Sequence, residues 1–259
     1  MKSDKELEHD RYEQRAQSAL LQNTELSDDY LDSLSPALRS PYVYYQSRIR
    51  GCNKEPGMRV LEIGAGTGVL TGVIVETGAA VMATDISESA LKVLHKRLGD
   101  HPNLDTRVAD MESLPFDDES FDTVTCAGSL SYGDNEIVMN EIYRVLKFGG
   151  SFVCVDSLNH NPMYRFNRWL HYLRKQRSRS TLERMPDMKL IKSYADTFGK
   201  AETRFFGSVT WAMPVLEAIC GADTAGRISD KIDSAFKVTK SSFKFVMVAE
   251  KLDSGLDGG

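Results

Sequence analysis

Apolar and polar positions alternate in blocks along residues 58–157, and these blocks predict strands and helices in turn. Short, continuous apolar runs are typical of buried strands. The segments between them place apolar residues at every third or fourth position, as amphipathic helices do. Strands are predicted at 58–63, 80–84, 104–109, 123–127 and 152–156, and helices at 69–77, 88–98 and 135–146.

Local signals mark the ends of two of these helices. Ser87 directly precedes the second helix and has the side chain of a good N-cap residue. Gly149 and Gly150 follow the third helix, where glycine commonly ends a helix. Strands that alternate with helices across short loops favour a parallel sheet with helices on both faces.

The residues before the first strand, 1–57, are polar and predict helical pieces broken at three prolines, Pro36, Pro41 and Pro56. An aromatic stretch that includes Tyr42 and Tyr45 lies just ahead of the first strand. Two interpretations are open for it. The stretch folds over a ligand as a lid, or it packs as a helix against the edge of the domain.

Beyond the fifth strand the pattern becomes less regular. A helix is predicted at 189–198, and two further strands are predicted at 200–206 and 243–251. The residues between these two strands, about 211–237, predict a helical insertion. The tail at 252–259 is rich in glycine and aspartate, so we expect it to be disordered.

Composition places the chain among ordinary globular proteins. Of its 259 residues, 41% are hydrophobic and 27% are charged, which is enough apolar material for a substantial core. The net charge of −5 gives no overall attraction to nucleic acid or to an anionic membrane, although a local basic patch is compatible with it.

Cysteine usage and hydropathy bear on compartment. The four cysteines are far apart and form no C-x-x-C pair, so we expect reduced thiols and no metal site. Neither a signal peptide nor an apolar run long enough to span a membrane is evident, so a cytoplasmic protein without membrane attachment is expected.

The first strand ends in a glycine turn that leads into a helix. Gly64, Gly66 and Gly68 occupy alternate positions, where a residue without a side chain lets a ligand approach the backbone. The N-terminus of the following helix favours an anionic group. Val69 stands where a dinucleotide fingerprint has its third glycine, which disfavours a nicotinamide oxidoreductase. A purely architectural turn is the alternative.

Two acidic residues come directly after the next two strands. Asp85 follows strand two, where an acid in dinucleotide folds binds ribose hydroxyls. Asp110 follows strand three and precedes Met111, a pair that suits the amino group and the ring face of adenine. Since the carboxyl ends of parallel strands share one edge of a sheet, these residues are expected near the glycine turn.

Together these stretches resemble class I S-adenosylmethionine-dependent methyltransferases of the small-molecule, UbiE-like (methyltransferase 11) branch. The similarity covers about 58–157 and is carried by V-L-E-I-G-A-G-T-G at 60–68, T-D-I at 84–86, A-D-M at 109–111, L-P-F at 114–116, S-F-D at 120–122 and E-I-Y-R-V-L-K-F-G-G at 141–150. Phe148 replaces the usual proline of the last motif. The segment after strand four lacks the histidine often found in that branch.

The resemblance implies a Rossmann-like, seven-stranded, mostly parallel sheet with an antiparallel seventh strand. It divides the chain into a helical N-terminal lid (1–57) and a methyltransferase domain (58–251), with acceptor-pocket additions at about 158–198 and 211–237. It also implies S-adenosylmethionine as cofactor and S-adenosylhomocysteine as product. The cofactor residues it implies are Glu62, Gly64, Ala65, Gly66, Thr67, Gly68, Asp85, Ile86, Asp110, Met111 and Ala127.

Methyl transfer needs a general base only if the acceptor must lose a proton. The candidate bases after strands four and five are Tyr132, Asp134, Asp156 and His160. His160 is the first choice because histidine commonly takes this role, and a loop histidine with a structural hydrogen bond is the alternative. Catalytic roles are therefore expected for His160, Tyr132 and Asp156.

The stretch from Tyr164 to Arg184 carries many arginines and favours an anionic acceptor, because guanidinium groups bind phosphates and carboxylates well. A solvated basic helix face is the alternative. The expected acceptor is an oxygen or nitrogen atom of a small molecule, with a sugar or glycan precursor first. The substrate and lid candidates are Tyr42, Tyr45, Tyr132, His160, Tyr164, Arg165 and Arg168.

Other functional classes are demoted or left as alternatives. The chain lacks the (N/D)PP(Y/F/W) and Pro-Cys motifs of DNA methyltransferases, so DNA is not an expected partner. An RNA methyltransferase that uses the arginine-rich segment 165–184 is one alternative, and a non-catalytic partner subunit with the same fold is another. A monomer or a homodimer is expected.

Overall fold

The computed structural model describes residues 4–21, 31, 33–53, 55, 57–161, 164–165, 169, 179–236 and 239–252. These residues form a seven-stranded sheet in the order β3-β2-β1-β4-β5-β7-β6. Its strands are β1 (Arg59–Ile63), β2 (Ala80–Asp85), β3 (Leu104–Val108), β4 (Phe121–Ala127), β5 (Leu146–Ser157), β6 (Gly199–Phe206) and β7 (Lys244–Lys251).

Helices precede the sheet and connect its strands. In chain order they are α1 (Asp4–Leu21), α2 (Pro36–Cys52), α3 (Thr71–Val75), α4 (Glu88–Leu98), α5 (Asn135–Val145), α6 (Arg179–Glu183), α7 (Met188–Phe198), α8 (Met213–Cys220) and α9 (Ala222–Ala235). Two short 3-10 turns add Leu130–Tyr132 and Thr210–Ala212. Within the described part of the chain, no helix is long and apolar enough to cross a membrane.

The sheet topology confirms the predicted fold class. Strands β1 to β5 run parallel, whereas β7 is antiparallel to both β5 and β6. The strand order reverses between β1 and β4, which begin their crossovers in opposite directions. Open sheets of this kind bind ligands in the crevice at such a reversal, beyond the carboxyl ends of the strands.

Alternate residues of the central strands point into two separate apolar layers. On one face Leu61 and Ile63 pack with α5 and α7. On the other face Val60 packs with α2, α3 and α4, so helices cover both sides of the sheet. This double burial explains why the central strands read as continuous apolar runs rather than as an alternating pattern.

Two details of the predicted elements are wrong. Helix α5 ends at Val145, and β5 begins at once with Leu146, so Gly149 and Gly150 lie within the strand and do not cap the helix. The glycines lie in an irregularity of the β4–β5 pairing, where the register shifts between Phe121 and Thr123. Pro41 does not break a helix either, because it lies inside the continuous helix α2.

The two N-terminal helices occupy different places. Helix α2 contributes Tyr45 and Ile49 to the apolar layer on one face of the sheet, and both side chains are fully buried. Helix α1 packs instead on α4, where Ala16 contacts Ala90 and Val93. Of the tail predicted to be disordered, 252–259, Leu252 is ordered and donates its N–H to the Phe198 carbonyl (3.0 Å). Residues 253–259 and Pro56 lie outside the described residues.

Candidate functional site

The glycine turn after β1 has the left-handed backbone that its sequence predicts. Gly64, Gly66 and Gly68 have φ values of +66°, +56° and +78°. A Cβ atom on Gly64 would lie 2.5 Å from the Cβ and Oγ atoms of Ser129, so a side chain has no room there. A Cβ atom on Gly66 would meet no atom within 4 Å. The turn is therefore closed behind Gly64 and open in front of Gly66.

Asp85, the last residue of β2, bridges the glycine turn and the start of α4. Its carboxylate accepts hydrogen bonds from the backbone N–H groups of Gly66 (2.8 Å) and Ser87 (2.9 Å). Burial raises the pKa of Asp85, and the backbone N–H donors oppose that rise. Ser87 in turn caps α4 by accepting from the N–H of Ala90, as predicted.

The turn after β3 places its acid and its methionine at the same edge of the sheet. Asp110 follows β3 and accepts a hydrogen bond from the backbone N–H of Glu112 (3.0 Å). Met111 packs at the border of the apolar layer, and its methyl carbon lies 3.9 Å from where a Cβ on Gly64 would stand. Asp110 and Met111 thus flank the glycine turn.

These three turns surround a cavity of about 410 Å³ at the carboxyl ends of β1, β2, β3 and β4. Eight of the eleven predicted cofactor residues line it, namely Gly64, Gly66, Thr67, Asp85, Ile86, Asp110, Met111 and Ala127. The other three, Glu62, Ala65 and Gly68, do not line the cavity and lie behind the residues that do. Gly68 lies against Leu94 of α4, and Ala65 donates its N–H to the carbonyl of Thr84.

Helix α1 forms the roof of the cavity. It contributes five lining residues, Glu8, His9, Tyr12, Arg15 and Ala16. The Tyr12 hydroxyl donates a hydrogen bond to the Tyr132 hydroxyl, and the two rings meet edge to face with centroids 5.1 Å apart. Burial and the neighbouring Tyr132 raise the pKa of Tyr12 above its ordinary value, so Tyr12 stays protonated. The tyrosine pair closes the cavity between α1 and the segment after β4.

A carboxylate fastens the roof to the domain. Glu13 accepts hydrogen bonds from the Ser87 hydroxyl (2.6 Å), the Ser89 N–H (3.3 Å) and the Ser89 hydroxyl. Partial burial opposes ionisation of Glu13, but these bonds outweigh it and lower its pKa to about 2. A negative charge at the N-terminus of α4 is also favoured by the helix dipole. We call this contact the Glu13 latch.

Glu62 lies beneath the glycine turn, with 3% of its surface exposed. Burial raises its pKa to about 7, although a hydrogen bond from the Thr71 hydroxyl (2.7 Å) acts in the opposite direction. Thr71 opens α3, the helix that follows the glycine turn. Glu62 therefore ties the strand before the turn to the helix after it, and does not face the cavity.

The structure places the predicted lid tyrosines away from the cavity. The side chain of Tyr45 points from α2 into the core and is fully buried. Tyr42 packs against the same apolar layer, and the Lys244 ammonium lies 4.9 Å from the centroid of the Tyr42 ring. The apolar face of α2 faces the sheet because Tyr45 and Ile49 lie one turn apart on it. Of the two N-terminal helices, α1 covers the cavity and α2 is part of the core.

Of the four candidate bases, one lines the cavity and three do not. Tyr132 lines it, whereas His160 is an exposed loop residue outside the lining. Asp156 is 2% exposed and accepts from the N–H groups of Leu130 (3.1 Å) and Ser157 (2.6 Å). Asp156 thus holds the 3-10 turn that carries Tyr132. Asp134 caps α5 through the N–H groups of the first turn.

The remaining substrate candidates lie on the segment after β5. Tyr164 packs against Phe243 with ring centroids 5.4 Å apart, and Arg165 is exposed. Neither lines the cavity. Arg168 lies outside the described residues, as do Arg174 and Arg177, so their predicted role stays a prediction.

Comparison with known proteins agrees with this geometry. Residues 61–154, from β1 to the middle of β5, match the methyltransferase domain family. Residues 61–154 are therefore similar to a methyltransferase domain. This matched region contains the glycine turn, both acidic turns and the segment of Tyr132, whereas the roof helix α1 lies outside it.

Curated relatives are similar over about two fifths of the chain. A demethylmenaquinone methyltransferase from Clavibacter sepedonicus is 39% identical over 115 residues, which is 42% of this chain and 45% of the relative. The ubiquinone/menaquinone biosynthesis C-methyltransferase UbiE of Shewanella halifaxensis is 36% identical over 116 residues, 42% of this chain and 46% of the relative. The chain thus spans less than half the length of these relatives.

Solved structures extend the similarity of fold beyond residues 61–154. A geranyl diphosphate C-methyltransferase from Streptomyces coelicolor superposes with a TM-score of 0.57 at 17% identity, over 88% of this chain and 86% of the other. A Haemonchus contortus phosphoethanolamine N-methyltransferase has a TM-score of 0.59 at 17% identity, over 90% of this chain and 59% of the other. At such identities the similarity shows the fold.

Sequence reasoning missed the five cavity residues of α1 and also Ser129. Ser129 lies behind Gly64, and its hydroxyl is 2.9 Å from the Cys126 sulfur and 3.3 Å from the Ile63 carbonyl. No pattern in α1 points to the glycine turn, since only the folded chain brings them together. A faint signal was Tyr12 itself, an aromatic residue in a strongly charged helix.

Proposed function

We propose that this protein is an S-adenosylmethionine-dependent methyltransferase that acts on a small molecule. The proposal rests on the meeting of three separate sequence features in one cavity. The glycine turn, Asp85 and the Asp110–Met111 turn, three features far apart in sequence, line one cavity at the strand-order reversal. The match of residues 61–154 to the methyltransferase domain family supports the same reading.

The residues present fit that cofactor. Open space in front of Gly66 leaves room for a group against the backbone, and Ile86 and Met111 offer apolar contacts to a flat ring. Asp85 can receive ribose hydroxyls, and Asp110 can receive an amino group. Among the described lining residues, three carboxylates (Glu8, Asp85 and Asp110) face one guanidinium (Arg15). Such a surplus of negative charge suits a sulfonium ligand.

When bound, the cofactor supplies a methyl group made electrophilic by its positive sulfur. The protein's contribution is then alignment, because a well-oriented displacement gains much of its rate from position. Tyr12 and Tyr132 close the cavity and exclude water from it. The Tyr132 hydroxyl lines the cavity and can accept a hydrogen bond from an acceptor O–H or N–H, so we assign Tyr132 to orienting that group toward the methyl carbon.

The finer proposal concerns the acceptor. We propose an oxygen or nitrogen atom of an anionic small molecule, with a sugar or glycan precursor first, on the basis of the arginine-rich composition of 165–184. A quinone is the second candidate, because two of the relatives are named as quinone-pathway methyltransferases. The surplus of carboxylates in the cavity implies that the anionic part of such an acceptor would lie outside the cavity, with its reacting atom at the Tyr132 side.

Calorimetric titration tests the cofactor assignment. S-adenosylmethionine and S-adenosylhomocysteine are expected to bind and NADH is not. Asp85→Asn should weaken binding about 10- to 100-fold, the usual effect of losing hydrogen bonds to a charged group. Asp105→Asn, which removes the same charge from an exposed position of β3, should leave the affinity unchanged. If neither sulfur nucleoside binds to the folded protein, the proposal fails.

Transfer of labelled methyl from the cofactor tests the acceptor. Sugar nucleotides, glycan precursors and reduced quinones would be supplied in turn, and the product mapped by mass spectrometry. Tyr132→Phe is expected to lower kcat about 100-fold because the hydroxyl no longer orients the acceptor's reacting group, with cofactor affinity preserved. His160→Ala tests the expectation from the sequence that His160 is the general base. A comparable fall in kcat for this variant would assign the base to His160, in the loop after β5.

A further inference from the structure

Two of the chain's four cysteines meet in the folded protein, although their sequence positions are far apart. Cys126 of β4 and Cys154 of β5 are register partners in a parallel pair, so their side chains lie on the same face of the sheet. Asp156 lies two residues after Cys154 on the same strand, and alternation along the strand brings it to that face too. The absence of a C-x-x-C pair predicts no metal site, but the register of the sheet brings together ligand types that the spacing does not show.

These three side chains form a compact, buried set of metal-ligand atoms. The sulfurs of Cys126 and Cys154 and a carboxylate oxygen of Asp156 all lie within 4.8 Å of one another. Both cysteines are fully buried, and Asp156 is 2% exposed. Two sulfurs that bind zinc tetrahedrally at about 2.3 Å each are about 3.8 Å apart, so the three atoms need only small movements to share one ion.

A fourth polar group approaches the same set of atoms from α7. The Tyr194 ring stacks on Phe152 of β5 with ring centroids 5.3 Å apart, and its side chain is 1% exposed. Its hydroxyl is buried and has no hydrogen-bond partner among the described residues. Such a group is rare in folded proteins, and a bound ion or water is one of its ordinary explanations. Burial raises the pKa of Tyr194, and the two cysteines and Asp156 raise it further, so the hydroxyl lies near all three.

We propose that Cys126, Cys154 and Asp156 form a buried site for one Zn²⁺ ion. Two thiolates and a carboxylate are a ligand set that zinc takes, whereas Mg²⁺ and Ca²⁺ take oxygen ligands. The Tyr194 hydroxyl supplies an oxygen beside the site for the fourth position. Binding displaces the proton of each thiol to solvent, and the charge of the ion offsets most of the negative charge that results.

The ion would act as a structural link behind the cavity, because none of its three ligands is among the cavity's lining residues. Asp156 accepts a hydrogen bond from the Leu130 N–H (3.1 Å). The Cys126 sulfur lies 2.9 Å from the Ser129 hydroxyl. Both contacts reach the segment that carries Tyr132, so the ion would hold that segment in place whether or not the protein transfers methyl groups.

Metal analysis of the purified full-length chain, without cofactor or acceptor, tests the site. Protein expressed in zinc-supplemented medium and dialysed against a metal-free buffer is expected to retain about one zinc per chain. The variant Cys126→Ala/Cys154→Ala should retain about ten-fold less zinc or lower still, because it lacks both thiolate ligands. Cys52→Ser/Cys220→Ser removes the other two thiols, which are partly exposed, and should retain zinc as the wild type does.

A spectroscopic measurement identifies the ligands with variants that preserve side-chain size. Protein expressed with Co²⁺ should absorb light through thiolate-to-cobalt charge transfer, and Cys154→Ser should weaken that absorption. Asp156→Asn should shift it, while the asparagine oxygen can still accept from the Leu130 N–H. Thermal melts of each variant establish that it is folded.

Other outcomes would overturn the proposal. They are a wild type without zinc, or an equal zinc content in the folded double-alanine variant. Loss of zinc from Cys52→Ser/Cys220→Ser instead would assign the metal to the partly exposed thiols. A disulfide between Cys126 and Cys154, found by peptide mass spectrometry in metal-free protein, would assign the pair to redox chemistry. Cofactor binding is tested separately by the calorimetric titration.

Discussion

Gly64 and Gly66 share a left-handed backbone but differ in what surrounds them. An added methyl group at Gly64 collides with buried Ser129, so Gly64→Ala should cost about 2–4 kcal/mol of unfolding free energy, from backbone strain plus overpacking. At Gly66 the methyl group enters open space, so Gly66→Ala should cost about 1 kcal/mol and instead obstruct the cofactor.

Urea denaturation and calorimetric titration of both glycine variants separate the two effects. The control is Gly64→Ala combined with Ser129→Gly, which removes the colliding atoms and should recover the overpacking part of the loss. Equal destabilisation by both single variants would mean that the contact with Ser129 does not constrain the turn.

Glu62 predicts a pH dependence of stability. Its folded pKa of about 7 lies above the ordinary value of 4.5, so between these pH values the folded state holds the proton that the unfolded state has lost. The contribution of Glu62 to stability therefore falls as pH rises from 4.5 to 7, by roughly 3 kcal/mol in total at one pKa unit per 1.4 kcal/mol.

Comparing wild type with Glu62→Gln by urea denaturation from pH 5 to pH 8 isolates that contribution. Glutamine can still accept from the Thr71 hydroxyl but does not titrate. The variant should gain stability relative to the wild type as pH rises, and a constant difference would contradict the raised pKa. Groups that titrate in both proteins cancel in the comparison.

Residues that form the cavity floor could be predicted because each directly follows a strand. The glycines, Asp85 and Asp110 need only the parallel order of β1, β2 and β3 to meet. Tyr45 was predicted as a lid residue but is buried in the core. An aromatic side chain suits a core as well as a lid, and its burial depends on which face of α2 packs against the sheet.

The Glu13 latch is one of the contacts that hold helix α1 over the cavity. Glu13→Gln removes the charge at the N-terminus of α4, and we expect hydrogen exchange of α1 amides to quicken about 5- to 30-fold as the roof opens more often. Because the pKa of Glu13 is lowered from 4.5 to about 2, the wild-type latch should hold at neutral pH and weaken as pH falls between those values.

Glu6→Gln is the matched control for the latch, because it removes the same charge from an exposed position of the same helix. Exchange in α1 should then remain near the wild-type rate. If both variants quicken exchange equally, the loss of charge on α1 matters and the specific bonds to Ser87 and Ser89 do not.

A helix was predicted well where both the spacing of its apolar residues and its capping side chain could be read from neighbouring positions in the sequence. Helix α4 begins after Ser87 as expected because its cap is a neighbouring side chain. The end of α5 was misjudged because pairing of Leu146 with Phe121 in the sheet overrides the glycine signal four residues later. The place of α1 was out of reach, since it depends on contacts with α4 that are distant in sequence.

At the scale of the whole molecule, ligand binding should stabilise the fold by mass action. S-adenosylhomocysteine at 100 times its dissociation constant should add about 2.7 kcal/mol, and for a chain of this size raise Tm by about 5–10 °C. NADH at the same concentration should leave Tm unchanged. Differential scanning calorimetry measures both values of Tm. A rise in Tm with NADH and not with S-adenosylhomocysteine would mean that the cavity binds a different class of cofactor.

The cavity and the start of the insertion lie at the same edge of the sheet, the edge formed by the carboxyl ends of its parallel strands. The strand ends from β1 to β4 surround the cavity, and β6 ends at Phe206, where the insertion with α8 and α9 begins. The parallel part of the sheet could be anticipated from the alternation of strands and helices, whereas the antiparallel seventh strand was expected from the family resemblance alone. The outward face of α8, where Val215 and Ile219 are exposed, could not be anticipated, because whether an apolar helix face is covered is a property of the folded surface.

Trp211 gives this edge an optical signature of its own. The chain's two tryptophans, Trp169 and Trp211, are 48% and 63% exposed, and neither lines the cavity. Indole emission from the free protein should therefore be red-shifted, and entry into a less polar phase would shift it to the blue. A ligand in the cavity would leave that emission nearly unchanged, so one fluorimeter cell could separate what happens at the surface from what happens under the roof.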